Sequence, residues 1–359
     1  MPTWAHGPVY AMVRGGESLV HAAGVDHAMR AMRSAGDAFS KAPFNKKRLQ
    51  RAIDNIGWCF PDWDEERCRR TAVDAYRHLF CLGAEVIYQP RLMSEDAYAD
   101  HIEIGNVQET LQILLRGERA ISITGHCGNW ELLGYTLAVL GFPVHALYRP
   151  LDLKPLDAWL RDTRQRRGLT LVDKFGAADL LPPIVERGDP VGFIADQNAG
   201  ERGMPVPFFD RLASTYKTIG LLALRYEAPI ICGMARRVSP MGGAQSGDGL
   251  DSQLFKYRLE IMDIIRPDDW VDQPDPLFYV TARYRRAIEN MVRSAPEQYL
   301  WMHRYWKTRP RHERRGEPFP PRLREKIEQL PWMTPDRVER LVARSEEESA
   351  EFAAGTRTR

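Results

Sequence analysis

The chain lacks a long hydrophobic run, a secretion signal and any close pairing of cysteines. Its longest apolar stretches are far below the roughly 18 residues that a membrane-spanning helix requires. Its amino-terminal residues do not follow the charged, then apolar, then small-residue order of a signal peptide. Five scattered cysteines without a CxxC pair are typical of a reducing compartment, and they predict neither a disulfide framework nor a zinc site.

A strong excess of one charge is also absent. The formal net charge of the 359 residues is only +2, so the composition gives no support to a nucleic-acid-binding protein. With 44% hydrophobic residues the chain can bury a substantial core. Its length fits one large α/β domain with extensions, or two domains.

The apolar pattern divides the chain into three predicted segments. Residues 1–95 form a helical region, residues 96–310 alternate helices with strands rich in Val and Ile, and residues 311–359 form a basic and then helical tail. This alternation predicts an α/β fold whose mostly parallel central sheet is covered by helices on both faces. The amphipathic stretch 10–36 is interpreted either as a helix covering the domain or as a helix on a membrane surface.

Individual elements follow from the same periodicity. The predicted strands are 120–124, 144–149, 169–173, 190–195, 229–236 and 255–265. The predicted helices are 106–116, 129–140, 155–167, 177–187, 214–227 and 276–295. A Gly-rich loop is predicted over 196–210. Because ligands of open α/β sheets bind beyond the carboxyl ends of the strands, residues at these ends are the first candidates for a site.

The segment ISITGHCGNWELLGYTLAVLG, residues 121–141, begins as a strand and ends as an apolar helix. Gly125 and Gly128 permit a sharp turn between the two, and Asn129 is a favourable first cap for the helix. A carboxylate at Glu131 then falls in the first helical turn, where the helix dipole favours it.

His126 and Glu131 form the candidate catalytic pair. If both were helical they would lie about 140° apart around the axis, so they meet only if His126 lies on the turn. A carboxylate beside an imidazole fixes its tautomer, and the other ring nitrogen then takes a proton from a hydroxyl. The alternative is a histidine that bonds a nearby backbone group.

Cys127 offers a second interpretation of the same turn. Its position near a helix start favours the thiolate, so it is a possible nucleophile with the neighbouring histidine as base. Adjacent side chains usually point apart, however, and a small buried cysteine is the commoner outcome. The spacing does not match the HExxH pattern of a metal site, so no metal is predicted.

The block TGHCGNWELLG resembles the HxxxxE/D motif of the late acyltransferases of bacterial lipid A biosynthesis, the lauroyl and myristoyl transferases. Mycobacterial phosphatidylinositol mannoside acyltransferases are relatives of that family. Four further blocks are similar to the family in order and spacing: ALYRPLDLKPLDAWLRDTRQRRG, GFIADQNAGERGMPVPFFDRLAST, LALRYEAPII and WMHRYWKTRP. The similarity covers about residues 45–310. The chain departs from the pattern at Leu153, at Asp210 and in lacking a hydrophobic amino-terminal anchor.

The resemblance implies a glycerolipid-acyltransferase-like fold and transfer of a fatty acyl chain to a hydroxyl of a membrane lipid, such as a lipid A precursor or a glycolipid. The implied donor is an acyl thioester of acyl carrier protein, or acyl-CoA, and no cofactor is implied. In this scheme His126 deprotonates the acceptor, Glu131 orients His126, and no acyl-enzyme forms. The implied location is peripheral, at the cytoplasmic face of the inner membrane. A thioesterase and a non-catalytic protein that binds lipid or carrier remain the alternatives.

Further candidates flank this pair. Arg149 and Arg164 are expected to bind a phosphate or the acceptor head group, with a solvated helix face as the alternative for Arg164. Asp196 and Gln197 end another strand and are expected to shape the site. The oxyanion donors are either the amides of Gly128 and Asn129 or the side chain of Arg149.

Two apolar or basic stretches also suggest lipid contact. The segment 207–209 is expected to line an acyl groove or dip toward lipid, or else to pack as an ordinary loop. Residues 301–326 hold nine Lys or Arg against three acids, interleaved with Trp301, Tyr305 and Trp306. Such a stretch suits an anionic lipid surface or an acidic carrier protein, or it is a solvated tail.

Overall fold

The computed structural model describes residues 6–166, 168–238 and 254–356. Its amino-terminal region is helical, as predicted. Its helices are α1 (His6–Ala23), α2 (Val25–Lys41), α3 (Lys46–Cys59) and α4 (Glu65–Leu92). Asp64 caps α4, where its side chain accepts a 2.7 Å hydrogen bond from the amide of Arg67. Within the described residues, no helix has both the length and the apolar character that crossing a membrane requires.

The helix α2 covers the domain. Its Met29 is buried in a small cluster with Cys81 and Ala84 of α4, and Arg77 of α4 pairs with Asp37 of α2. For the α2 part of the amphipathic stretch, the structure therefore agrees with the interpretation of a covering helix.

A seven-stranded sheet forms the centre of the molecule, and a separate hairpin adds two strands. The strands are β1 (Ile102–Ile104), β2 (Ile121–Thr124), β3 (His145–Tyr148), β4 (Thr170–Asp173), β5 (Val191–Ile194), β6 (Met204–Pro207), β7 (Leu212–Thr215), β8 (Ile230–Arg237) and β9 (Tyr257–Ile265). The order across the sheet is β1-β9-β8-β2-β5-β3-β4. Within this sheet all pairings are parallel except that of β8 with β9, which confirms the predicted mostly parallel sheet.

Helices cover both faces of this sheet. They are α5 (Tyr98–His101), α6 (Gln108–Leu115), α7 (Trp130–Val139), α8 (Lys154–Gln165), α9 (Ala177–Glu186), α10 (Lys217–Tyr226), α11 (Pro267–Trp270), α12 (Pro276–Ser294), α13 (Arg311–Arg314), α14 (Pro321–Glu328) and α15 (Pro335–Ala353). Successive residues of β8 show the two faces: Ile230 and Cys232 join the core cluster that contains α12, whereas Ile231 joins the cluster of α6 and α7.

The hairpin β6–β7 corrects the prediction of a loop over 196–210 and of a helix from residue 214. Its turn places Phe209 and Asp210 at φ of 52° and 50°. The sequence does not predict this turn, because it lacks the Asn-Gly pair that is typical of tight hairpins. The buried Phe208 and Phe209 confirm the interpretation of ordinary packing over that of a lipid-facing loop. Asp210, which departs from the family pattern, accepts hydrogen bonds from Arg337 and Arg340 of α15.

The basic and aromatic stretch 301–326 also differs from its prediction. Trp301, Tyr305 and Trp306 are buried in the core, so they are not available to a lipid surface. Arg309 is buried too and pairs with Glu313 at 2.7 Å. The aromatic spacing of this stretch therefore belongs to packing, and only some of its cations reach solvent.

Candidate active site

The carboxyl ends of β2 and β5 bring two of the predicted residues together. Thr124 and Ile194 are paired in the parallel register of these strands. His126 and Asp196 each follow two residues beyond that pair, so the two side chains leave the same edge of the sheet from neighbouring strands.

His126 and Asp196 share two hydrogen bonds. The amide of His126 donates to Oδ2 of Asp196 over 2.9 Å, and Nδ1 of the ring lies 2.7 Å from Oδ1. Because the carboxylate accepts, the ring proton belongs on Nδ1, which leaves Nε2 as the basic nitrogen. Asp196 is fully buried, while the His126 side chain is 17% exposed. Asp196 is thus shielded from solvent, whereas part of the His126 side chain remains accessible.

The charges of this pair stabilise each other. Burial alone would raise the pKa of Asp196, but the charge and hydrogen bonds of His126 and the charge of Arg285 lower it to about 2. Burial alone would lower the pKa of His126, but the charge and hydrogen bond of Asp196, with a smaller contribution from Glu131, raise it. An imidazolium formed at His126 is therefore favoured.

Glu131 contacts Arg164 and not His126, which differs from the pairing expected from the sequence. Its carboxylate accepts from Nε of Arg164 over 2.7 Å and from a second nitrogen of the same guanidinium. The indole of Trp130 donates to it over 3.2 Å. Among the described residues its hydrogen bonds go to these partners and not to His126, so the carboxylate that contacts the imidazole is Asp196.

The turn itself is held by its own amides. Gly128 donates to the carbonyl of Gln298 over 3.0 Å, and Asn129 donates to the carbonyl of Ala235 over 2.8 Å. Both N–H groups already have acceptors, so in this conformation they fix the turn rather than face an acceptor outside it. This differs from their predicted role as oxyanion donors.

A buried polar network supports the turn from below. Asn129 caps α7 through the amide of Leu132 at 3.0 Å, and its Nδ2 donates to Glu85 over 2.8 Å. Glu85 is fully buried and also accepts from Arg237 and from Tyr257. These residues come from α4, β8 and β9, far apart in the chain, and no local spacing in the sequence points to them.

His78 belongs to the same network. Its Nε2 lies 3.0 Å from the carbonyl of Gly128, and Nε of Arg237 lies 3.3 Å from its Nδ1. Burial and the charge of Arg237 lower the pKa of His78 to about 3. The ring is therefore neutral and serves as a fixed support for the turn.

Arg285 of α12 is a further residue that the sequence did not single out. It is fully buried, lies with its guanidinium 3.8 Å from the ring centre of Phe208, and donates over 2.5 Å to the carbonyl of Asp196. It holds the backbone of the aspartate from behind the sheet edge.

Cys127 is excluded as a nucleophile by its surroundings. The residue is fully buried, and its Sγ contacts the sulfur of Met291 at 3.8 Å. Burial and the charge of Asp196 raise the pKa of this thiol strongly, and a thiolate is the reactive form of cysteine. The cysteines at 59, 68, 81 and 232 are likewise free and buried.

The remaining candidates lie around the pair. Gln197 places its Nε2 3.4 Å from Nε2 of His126. Arg149 follows β3 and is exposed, and among the described residues it has no hydrogen bond or ion pair. Arg164 reaches the site but is engaged by Glu131. Within the described ranges, no three His, Cys, Asp or Glu side chains are grouped to hold a metal ion.

A parallel sheet that presents an imidazole, backed by a buried carboxylate, at its carboxyl edge has the geometry that a histidine base requires. A sequence model of the bacterial lipid A biosynthesis acyltransferases matches residues 8–308 of this chain. The chain therefore belongs to that family and is an O-acyltransferase.

Several named relatives have low sequence identity to this chain, but the similarity covers most of this chain and most of each relative. The lipid A biosynthesis acyltransferase of Haemophilus influenzae is 26% identical over 270 residues, which are 74% of this chain and 77% of that protein. The lipid A biosynthesis palmitoleoyltransferase of Escherichia coli K12 is 24% identical over 75% of this chain and 81% of its own. The lauroyltransferase of the same organism is 26% identical over 74% and 81%.

Proposed function

We propose that this acyltransferase moves a fatty acyl chain from a thioester of acyl carrier protein, or from acyl-CoA, to a hydroxyl of a lipid A precursor or related glycolipid. His126 is the general base and Asp196 orients it. The observation that carries this proposal is the 2.7 Å contact between Nδ1 of His126 and the buried carboxylate of Asp196. That contact leaves Nε2 as the ring nitrogen that does not contact the carboxylate.

The residues support a direct transfer. Nε2 of His126 takes the proton of the acceptor hydroxyl as its oxygen attacks the thioester carbonyl. The tetrahedral intermediate collapses, the carbon–sulfur bond breaks, and the imidazolium returns its proton to the departing thiolate. Asp196 stabilises the imidazolium between these steps. Since Cys127 is buried and no acyl-enzyme is required, the step needs only the donor, the acceptor and the base.

Arg149 is the proposed contact for a phosphate of the acceptor. It ends β3 next to the catalytic edge, is exposed, and has no carboxylate partner in the described part of the chain. A guanidinium in that state binds phosphate in a bidentate manner. Glu131 and Arg164 form an ion pair without net charge beside the base. This pair positions the first turn of α7 against α8.

The function is tested by incubating the pure protein with dodecanoyl-acyl carrier protein and a lipid A precursor and identifying products by mass spectrometry. We expect an acylated lipid with the wild type and a loss of at least about a thousandfold with His126→Ala. Equal product from both proteins would reject the proposal. Free fatty acid released at the same rate without any acceptor would instead favour a thioesterase.

An apolar edge beside Arg149 is the proposed contact with the membrane. The amide of Lys174 donates to the carbonyl of Tyr148 over 3.0 Å, so the chains leaving β3 and β4 run side by side. Phe175 is 78% and Leu180 is 50% exposed there. Exposed apolar side chains next to cations suit an anionic lipid surface. This supports peripheral attachment, proposed for the cytoplasmic face of the inner membrane.

This edge makes a testable difference between two exposed apolar residues. Phe175→Ser is expected to reduce binding to phosphatidylglycerol vesicles several-fold in a sedimentation assay. Leu115→Ser is the matched control, because Leu115 is 76% exposed but precedes β2 and so lies at the opposite edge of the sheet. High salt should release the wild type. Equal loss for both variants, or release by detergent alone, would contradict this orientation.

A further inference from the structure

The helix α3 begins with an unusual concentration of cations. Lys46, Lys47 and Arg48 occupy its first turn, and no acidic residue accompanies them there. The positive end of the helix dipole disfavours cations at this position. All three are exposed, and in the part of the chain that the structure describes none has a carboxylate within ion-pair distance. By contrast, Arg77 of the adjacent α4 pairs with two aspartates.

A second set of cations is fixed against the same helix. Asn55 of α3 donates from Nδ2 to the carbonyls of Trp301 and His303 over 2.8 and 3.1 Å. Arg51 donates to the carbonyl of Met302 over 3.3 Å. The segment 301–307, which carries the exposed Arg304 and Lys307, is therefore tied to α3.

These cations repel one another. Burial and the nearby charges of Arg304 and Arg48 lower the pKa of Arg51. Asp54 is the single acidic residue of α3, and it accepts from Gln50 over 2.9 Å rather than from any of the arginines. A group of like charges without internal partners raises the local positive potential.

The same segment is joined to the catalytic turn. The amide of Leu300 donates to the carbonyl of His126 over 3.1 Å. Further along, Asn198, which follows the catalytic Asp196, pairs with Thr308 through two hydrogen bonds of 3.0 and 3.1 Å. The cations of α3 and of segment 301–307 therefore lie on a rigid support that borders the base.

We propose that this surface, the cationic face, is the docking site for an acidic carrier protein that brings the acyl thioester to His126. It comprises Lys46, Lys47, Arg48, Arg51, Arg304 and Lys307. Charge complementarity selects the partner, because acidic side chains of a carrier supply the carboxylates that these cations lack. This inference rests on the proposed function for the identity of the cargo.

A protein partner suits this face better than a bilayer does. Six cations lie on it, none with a carboxylate partner among the described residues, and they are arranged along one helix and one fixed segment. The proposed membrane contact, Phe175 and Leu180, lies beyond β3 and β4. The cationic face adjoins the exposed apolar side chain of Phe44, which is 75% exposed and precedes Lys46 by two residues, so the preference for a protein partner rests on the fixed pattern of charges. Donor and acceptor would thus approach the base from two different directions.

Reversing two charges tests the docking. The double variant Lys47→Glu/Arg48→Glu changes exposed side chains that make no ion pair, and carboxylates at the start of a helix are favourable, so α3 is expected to remain folded. We expect KM for dodecanoyl-carrier protein to rise at least about tenfold with little change in kcat. KM for neutral dodecanoyl-pantetheine, which has no protein to dock, should stay within about twofold of the wild type.

The matched control is Arg225→Glu/Arg322→Glu. Both arginines are exposed and lie outside the cationic face, on α10 and α14. This variant removes the same charge and should leave both KM values unchanged. If both double variants raise KM for the carrier equally, net charge and not this face is responsible, and the proposal is wrong.

A binding measurement separates docking from catalysis. Fluorescence anisotropy with the carrier protein lacking its acyl group should show weaker binding to Lys47→Glu/Arg48→Glu than to the wild type, and more so at low salt. This result holds even if the wild type transfers no acyl chain, in which case only the proposed function fails. Unchanged carrier binding with lost binding to phosphatidylglycerol vesicles would assign the face to the membrane and overturn the proposal.

Discussion

Asp196→Asn is expected to lower kcat for acyl transfer by about two to four orders of magnitude and to move the acidic limb of the pH–rate profile to lower pH. The size follows from the loss of the group that orients the base and stabilises its charged form. The direction follows from the balance at His126. Asp196 raises the pKa of the ring against the effect of burial, so without that charge burial dominates and the pKa falls.

The position of the acidic limb in the wild type follows from the same balance of burial and charge at His126. A general base works when deprotonated, so kcat/KM rises with pH through the pKa of His126 in the free enzyme. Because that pKa is raised, the limb lies above the ordinary value of about 6.5. In Asp196→Asn the limb should lie below that of the wild type, as measured with saturating and limiting acceptor.

Glu131→Gln is the control that separates the two carboxylates. It also lowers the rate, because Arg164 loses its charged partner beside the base. Its contribution to the pKa of His126 is smaller than that of Asp196, so the acidic limb should remain close to that of the wild type. A larger shift of the limb in Glu131→Gln than in Asp196→Asn would return the orienting role to Glu131.

Gly128→Ala is expected to destabilise the protein by at least about 3 kcal/mol, as measured by urea unfolding. The residue has a φ of +60°, and a Cβ there would lie 2.1 Å from the carbonyl oxygen of Ala235. That oxygen is fixed because it accepts from the amide of Asn129. Neither atom can move without disturbing the turn that carries His126, so activity should fall with stability.

Gly117→Ala isolates the conformational part of this cost. Gly117 has a φ of +65°, close to that of Gly128, but a Cβ there would meet nothing within 4 Å. Its substitution should lower the free energy of unfolding by only about 1 kcal/mol, because alanine is less stable than glycine in a left-handed conformation. A similar decrease in the free energy of unfolding for the two variants would show that the close approach to Ala235 does not contribute to the destabilisation.

The sheet was predictable because its strands and helices are short, regular and separated by local signals. Each predicted strand from residue 120 to residue 265 is present within a few residues. Strand β1 and the β6–β7 hairpin were not predicted. The first strand of the hairpin contains Pro205 and Pro207, and its turn uses Phe209 and Asp210 at positive φ. A proline-containing strand with a non-glycine turn carries no recognisable pattern.

The site was predictable in its histidine but not in its carboxylate. The glycines and the cap around His126 are local features that define the turn. The choice between Glu131 and Asp196 depends on the register of β2 with β5 and on the position of Arg164 in α8, which are contacts between distant parts of the chain. The buried partners Glu85, His78 and Arg285 were missed for the same reason.

The most direct test of the account is the protonation of His126, measured by nitrogen-15 NMR of the histidine rings over a pH titration. The neutral ring should carry its proton on Nδ1, its pKa should lie above about 6.5, and that pKa should fall in Asp196→Asn. A neutral ring protonated on Nε2, or a pKa that is unchanged when Asp196 is replaced, would contradict the role of this pair as the base.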